Sequence, residues 1–419
     1  MLVKTLLNKV EDFKPFVIWK VEYEESGDWP TLHVWFRARA NGKGKCGKCR
    51  RKSSGYDTIK ERHWEYVSLW GISVWFWYAR RRVDCAVHGV VAEWLPWAEG
   101  KGRLTKTYVW FLSRWAKRLS MKEVSEVFRV SWDQVFAAVK WAVEWGLEHR
   151  DVEGVEGIGV DELQFGKGQN YLTLVYQIEE KCKRLLWVGE ERTKECLRSF
   201  FKEFGDEWTA NLKFVCSDMW GNYLDIIADM AKNAVNVLDR YHIVANINKA
   251  IDKVRAAEAR KLEEEGKEPV LKKKRWVVLK RPENLSEKQE TKLRDLLQYN
   301  LKTVRAYLLK EEFDQFWGYI SPHWAGWFLD RWCTKVMRSQ IEPMKEIARS
   351  LREHRPLLLN WFEARQAAIS LGAVEGLNNK AGVIKRRAYG FRTYHVMRTM
   401  LYHGLGDLPE PEVKHSFCC

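Results

Sequence analysis

Up to about residue 100 the chain alternates apolar and polar positions in short runs, His33 to Arg39, Val67 to Ala79 and Arg82 to Trp94, broken by glycine and turn residues. Period-two alternation predicts a small β-rich module over 1–100. From Leu104 to His149 the apolar spacing becomes helical. Ser120 is placed to cap a helix with Glu123 at the capping-box position, Val124, Val127 and Phe128 give that helix one apolar face, and Ser131 caps a second helix carrying Trp132, Gln134 and Lys140. Two short capped helices in tandem predict a helix-turn-helix within 101–152, with an ordinary helical hairpin as the alternative.

Beyond Arg150 the pattern predicts strands at Gly157–Phe165, Tyr171–Ile178 and Arg184–Gly189. There follow a helix at Thr193–Phe204, a strand at Leu212–Cys216, a helix at Gly221–Ala231, a strand at Ala234–Leu238 and a helix from Tyr241. Three strands joined by turns, then helix-strand alternation, describe a mixed sheet with helices on its faces, in the order of a ribonuclease-H-like core. Residues 254–356 are helical and charge-dense without strand signals, an all-α insertion that divides this core into 153–253 and 357–408. A final helical segment runs from about Val374 to Leu401, and 409–419 form a tail. The fold class expected is therefore a multidomain α+β and α/β chain.

Composition narrows the reading. The chain has 419 residues, 46% hydrophobic and 30% charged, which excludes a disordered or collagenous polymer and allows several domains with real cores. Tyr66 to Ala79, the longest uncharged stretch near the N-terminus, falls short of the ~18 apolar residues of a membrane span, so a soluble, cytoplasmic protein is expected. The net charge of +15 favours a polyanionic partner. Eight Lys and Arg with no acid lie between Pro30 and Tyr56, Arg50 and Arg51 among them, and six with no acid lie between Gly376 and Gly406. Such blocks read as phosphate-facing patches, or as solvated loops.

Nine cysteines, an odd number over a long chain, argue against a disulfide framework. Cys46-Gly-Lys-Cys49 and Cys85-Ala-Val-His88 have the spacing of two ligand knuckles. Four N and S ligands leave zinc no open position, so a structural zinc ribbon is expected, with His63 as the substitute if His88 faces away.

The candidate chemistry lies in acids at strand ends. Asp161 interrupts a β-like run where a charge on a covered face needs a partner, and Glu162 points to the opposite face, so one of the two is expected to join a site. Asp218 closes its strand just before a helix, where ligands gather in open α/β sheets. Neighbouring aspartates invite a divalent cation, Mg²⁺ or Mn²⁺, and with a third acid could hold two ions for phosphoryl transfer. Glu375 opens a late helix with Asn379 at i+4 and Lys385, Arg386 and Arg387 beyond; spacing alone does not select it over Glu342, Glu346 or Glu363.

Taken together, the two knuckles, the helix-turn-helix, Gly159-Val-Asp-Glu, Ser217-Asp-Met, Asp239-Arg-Tyr-His-Ile-Val and Glu375-Gly-Leu-Asn-Asn-Lys followed by Lys-Arg-Arg-Ala-Tyr-Gly-Phe resemble the ISL-three family of insertion-sequence transposases, over nearly the whole chain. The resemblance implies a DDE triad at Asp161, Asp218 and Glu375 and an Asp239-x-x-His242 pair beside it, with His242 either positioning the scissile phosphate or capping its helix. The second knuckle departs from the expected Cys-x-x-Cys. Further implications are binding to terminal inverted repeats and target DNA, metal-dependent cleavage and strand transfer, and a dimer or larger synaptic assembly. DNA contacts are expected from Arg50, Arg51, Lys122, Trp132, Gln134, Lys272, Lys273, Lys274, Arg275, Asn379, Lys385, Arg386 and Arg387. A zinc-dependent DNA-binding regulator without cleavage is the alternative, and a ribonuclease-H-type nuclease on RNA or hybrids a third reading. Trp317, Trp324, Trp327 and Trp332, four of 23 tryptophans, are either core residues or base-stacking groups.

Overall fold

The computed structural model describes residues 3–25, 29–166, 170–366, 370, 372–387 and 393–411. The segment 388–392 of the last motif and the end of the tail lie outside the described residues. The chain divides into two compact units, one formed by residues up to 150 with 387 and 395–411, the other by 151–386 with 393–394.

The first unit opens with α1 (Val3–Val10) and eight strands: β1 (Phe16–Glu24), β2 (Thr31–Ala38), β3 (Gly44–Lys45), β4 (Lys52–Thr58), β5 (Arg62–Leu69), β6 (Ile72–Tyr78), β7 (Arg81–Cys85) and β8 (Gly89–Ala92). They form two four-stranded sheets, ordered β1-β2-β6-β5 and β3-β4-β7-β8. The apolar run 67–79 is a hairpin instead of one strand, because Trp70 and Gly71 both take positive φ (53° and 83°), the backbone of a tight turn between right-twisted strands. Buried aromatics hold the larger sheet, Phe36 stacking on Trp97 at 4.5 Å and Phe16 meeting the same ring edge-on at 4.9 Å.

Three helices follow in this unit, α2 (Lys106–Arg118), α3 (Met121–Phe128) and α4 (Trp132–His149). Ser120 and Ser131 cap α3 and α4, each in a full capping box, with Glu123 and Gln134 reaching back to the cap backbone. Arg129 ends α3 in the left-handed region (φ 56°), so three residues turn the chain from one helix into the next.

The second unit is built on β9 (Gly157–Gln164), β10 (Tyr171–Glu179), β11 (Cys182–Glu190), β12 (Phe214–Ser217) and β13 (Val235–Leu238), in sheet order β11-β10-β9-β12-β13. The first three strands pair antiparallel, while β9, β12 and β13 run parallel. One face is covered by α5 (Lys194–Phe204), α6 (Asp206–Ala210) and α7 (Gly221–Met230) through a core of Val160, Val175, Leu197, Phe200, Phe201 and Ile226.

After β13 the described chain is helical: α8 (Arg240–Glu264), α9 (Arg275–Leu279), α10 (Glu287–Leu296), α11 (Lys302–Asp314), α12 (Pro322–Arg338), α13 (Glu342–Glu353), α14 (Arg355–Gln366) and α15 (Ala373–Arg387). The boundary expected at residue 254 falls inside α8, whose buried stripe of Ile243, Ile247, Ala250, Ile251 and Val254 ends there while the helix runs on to Glu264. The late helical segment is two helices, α15 and α16 (Tyr394–Leu405), and α16 from His395 onward groups with the first unit. No described helix is long and apolar enough to cross a membrane.

Candidate active site and candidate zinc centre

In the smaller sheet, the turn after β3 and the turn between β7 and β8 bring Cys46, Cys49, Cys85 and His88 together. Cys49 Sγ lies 3.6 Å from Cys85 Sγ, and His88 Nδ1 lies 3.7 Å from Cys46 Sγ and 3.8 Å from Cys85 Sγ. Two thiolates ~2.3 Å from one zinc at the tetrahedral angle stand about 3.8 Å apart, so the four groups are spaced to close on a single ion. Hydrogen bonds from the Val87 backbone and from His88 hold the Cys85 thiol down at about 6, toward the thiolate that a metal needs. The fourth group is His88. His63 instead packs against Trp75 and Trp77 (5.0 and 4.6 Å) on the larger sheet.

The acids converge at the carboxyl ends of the parallel strands. Asp161 lies on β9 opposite Leu174 of β10, Asp218 directly follows β12, and Asp239 directly follows β13. Asp239 accepts from the Tyr241 N–H at 2.8 Å and so caps α8, which places His242 in that helix's first turn. His242 Nε2 is 3.5 Å from Asp161 and 4.0 Å from Asp239. Asp161, Asp239 and His242 form a second group whose ligand atoms lie within 4.8 Å of one another. The Asp161 hydrogen bond holds the imidazole up at about 9. Burial pushes Asp218 upward and Asp239 up to about 6, the behaviour of crowded acids short of counter-charge.

Glu375 belongs to the first turn of α15, near enough to Asp239 to add to that rise. The helix is seated by a missing side chain. A Cβ on Gly159 would meet a Val374 methyl at 2.3 Å, so the bare glycine lets Val374 rest on β9 two residues before Asp161. From the next turn of α15, Asn378 donates to Asp161, and its oxygen accepts from the buried Tyr176 hydroxyl at 2.6 Å.

Glu162 reaches the same cluster from the other face of β9. Arg192, in the turn after β11, stands 2.6 Å from Glu162 and 3.9 Å from Asp218, its guanidinium 4.3 Å from the Trp220 ring. Burial, with Asp218 adding, pushes Glu162 up to about 7. The expectation that only one of Asp161 and Glu162 could join the site is corrected here: alternation holds, yet Asp218 stands at a strand end, where both faces are within reach.

Comparison with known proteins decides the family. Residues 158–401, more than half of the chain, match the model of the ISL-three DDE family, described as transposase. The chain belongs to this transposase family. It is 27% identical over 396 residues to the transposase for insertion sequence element IS1001 of Bordetella parapertussis, covering 94% of this chain and 96% of that protein. It is 28% identical over 408 residues to the transposase for insertion sequence element IS1557 of Mycobacterium tuberculosis (strain ATCC 25618 / H37Rv), covering 91% of this chain and 90% of that one.

In this ISL-three family member the basic residues singled out in the sequence have varied surroundings. Arg50, beside the zinc knuckle, is exposed with its guanidinium 5.7 Å from the Trp94 ring, and Arg51 is exposed. Lys122 pairs with Glu126 at 3.8 Å, Trp132 stacks on Phe136, and the Gln134 oxygen is engaged by the Ser131 N–H at 2.8 Å. Lys272 and Lys273 are exposed and Lys274 half-buried, whereas Arg275 is paired with Asp252 at 3.0 Å. Asn379 and Arg386 are exposed, Lys385 donates to the Gln164 carbonyl at 2.7 Å, and Arg387, part of the first unit, donates to the Lys117 and Arg118 carbonyls.

Of the paired amides in the last motif, Asn378 and not Asn379 faces Asp161. The i+3 spacing from Glu375 could have pointed to it. Arg192 and Tyr176 had no signal in the sequence, since only pairing across the sheet brings them to the acids.

Proposed function

We propose that this chain is a metal-dependent DNA transposase that acts at the terminal inverted repeats of an insertion sequence, with Asp161, Asp218 and Glu375 as its acidic triad. One observation carries the reading. Asp161, on β9 just beyond its parallel pairing with β12, and Asp218, directly after β12, lie on neighbouring strands, and the Val374–Gly159 contact seats the helix bearing Glu375 against β9. The strand order β11-β10-β9-β12-β13, with its antiparallel first half, is that of a ribonuclease-H-like core and supports the same reading.

The donor set suits a hard divalent cation such as Mg²⁺ or Mn²⁺: carboxylate oxygens, with Asp218 and the neighbouring Asp239 raised by burial. Asp161, Asp218 and Glu375 would hold it, and when bound it supplies Lewis-acid activation for in-line phosphoryl transfer. Asn378 fixes the Asp161 carboxylate through a bond anchored on Tyr176. His242 takes the positioning role, offering an imidazolium to a phosphate oxygen, because the cap of α8 is already supplied by Asp239. Arg192 balances Glu162 and Asp218 from the opposite face.

The three cysteines and His88 would hold a structural zinc, their spacing being that of a closed tetrahedral set. The ribbon with Arg50 and Arg51, and the α3–α4 pair with Lys122 and Trp132, would read the repeats, while Lys272 to Lys274, Arg386 and Lys385 neutralise backbone phosphates. Two element ends must be held at once, so the active form is at least a dimer.

The test is cleavage of labelled duplex carrying the element's own terminal repeat, in Mg²⁺ or Mn²⁺ against EDTA. Wild type is compared with Asp161→Ala, Asp218→Ala and Glu375→Ala. Nicking at the repeat boundary is expected from wild type only, with binding kept in all four. Binding without cleavage under every metal sinks the active-enzyme reading.

A further inference from the structure

The four tryptophans of the helical segment divide in two. Trp317 and Trp332 are 4% and 1% exposed and belong to the core, whereas Trp324 and Trp327 are 56% and 48% exposed on the outer face of α12. The inner face of that helix is complete without them, with Ala325, Gly326, Leu329, Trp332, Cys333 and Val336 buried. The two exposed rings stand edge to face at 6.2 Å.

The same stripe continues at helical spacing as Arg331, Lys335 and Arg338, all exposed. The Arg331 guanidinium lies 4.5 Å from the Trp327 ring. Of the acids beside it, Asp330 is taken up by two bonds from Arg355 at 3.0 Å, and Glu312 by Lys335 at 2.7 Å. The patch is therefore two half-exposed tryptophan rings followed by a positive track.

The platform is also tied to the acid cluster. Trp332, one turn on, packs on Phe313 at 4.8 Å, and Phe313 meets Trp317 edge-on. Trp317 in turn carries Arg240 at 5.1 Å, in the first turn of α8 between Asp239 and His242.

We propose that Trp324 and Trp327 form a stacking platform for an unpaired nucleotide of a DNA strand, with Arg331 and Arg338 on the following turns taking its phosphates. Stacking on aromatic rings is indifferent to sequence and needs flanking cations, which is the chemistry of this stripe. A second copy of the chain is the poorer occupant, since a two-fold contact through this patch would set its positive track against itself in a protein of net charge +15. That the polymer is DNA rests on the transposase reading, but the platform does not depend on the carboxylates.

The experiment uses the full-length protein in EDTA, with fluorescein-labelled dT15 as the single-stranded probe and a duplex of mixed sequence beside it, read by anisotropy. Trp324→Ala/Trp327→Ala is expected to weaken dT15 binding by about five- to a hundred-fold, the range for loss of one base–aromatic stack. Duplex binding should stay within about twofold. Trp324→Phe/Trp327→Phe should keep most of the affinity. In wild type, photo-crosslinking to an oligothymidylate carrying 5-iodouracil should mark the peptide containing Trp324 and Trp327, which serves if the alanine variant is unstable.

Unchanged dT15 affinity in the alanine variant, or crosslinks elsewhere, overturns the inference. So does a shift from dimer to monomer in sedimentation with dT15 binding intact, which would make the patch a contact between copies. Because no metal is present, failure here is distinct from loss of metal-dependent cleavage in the Asp161→Ala enzyme.

Discussion

Val374 rests directly on Gly159, with no room for a single added carbon between α15 and β9. Gly159→Ala should therefore lift the helix that carries Glu375 and Asn378. Overpacking of this kind costs about 1–3 kcal/mol. The variant is expected to fold with a lower denaturant midpoint and to lose at least tenfold in cleavage while still binding repeat DNA, compared by urea titration and by the nicking assay. Wild-type cleavage in Gly159→Ala would mean that the position of α15 is not critical to the site.

Asn378 is expected to act by holding Asp161. Asn378→Ala should lower cleavage about 10–100-fold, the usual loss when a partner of a metal-ligating group is removed. Asn379→Ala, one position along on the exposed side, should leave the catalytic rate alone and at most weaken DNA binding. Tyr176→Phe, which removes only the anchor of Asn378, should fall between the two. Equal effects at 378 and 379 in single-turnover assays would contradict this order.

Removing zinc should unfold the small sheet and spare the acid cluster. Among the described residues the apolar core of that sheet is Cys46, Val83 and Cys85 with Cys49 and Val91 against it, far too little to hold four strands, and structural zinc contributes on the order of 10 kcal/mol to such modules. Elemental analysis should give one zinc per chain. In Cys49→Ser, hydrogen exchange should become fast in β3, β4, β7 and β8 and remain slow in β9, β10 and β12.

His403 makes the first unit acid-sensitive. Burial pushes its pKa down to about 3, with the Lys117 charge acting in the same direction, and its Nε2 has no partner among the described residues. The unfolded imidazole titrates near 6.5, so between 6.5 and about 3 the unfolded chain binds a proton that the folded one refuses. Stability present above pH 6.5 is thus lost as pH falls, by up to about 1.4 kcal/mol per pH unit. Exchange of α2 and α16 amides should accelerate from pH 6.5 to 4.5 in wild type and respond less in His403→Leu. The same slope in both would assign the sensitivity to another group.

Both units were legible wherever a pattern is local. Alternation located β9 to β13 within about two residues, and the Ser120 and Ser131 boxes located α3 and α4, because strand period and helix caps are properties of adjacent residues. Where the reading stopped, the cause lay across the sheet. Arg192 joins Glu162 and Asp218 only because β11 and β12 flank the pair β9 and β10, and no spacing encodes that. Asn378 and Asn379 are chemically identical, and the choice between them depends on how α15 is rotated over Gly159. The one apolar run that divided into a hairpin did so at Trp70-Gly71, where a bulky residue in a left-handed turn hid the break.

The 25 residues of α8 run unbroken from the cap at Asp239 to Glu264, a rod of about 37 Å. Its near end holds His242 against Asp161, and its midpoint is braced by Asp252, which bonds Arg255 on the same helix and Arg275 on α9. One continuous helix thus carries both His242 and the ion pair that fixes α9, so the position of α9 and the position of the imidazole are set by the same rod.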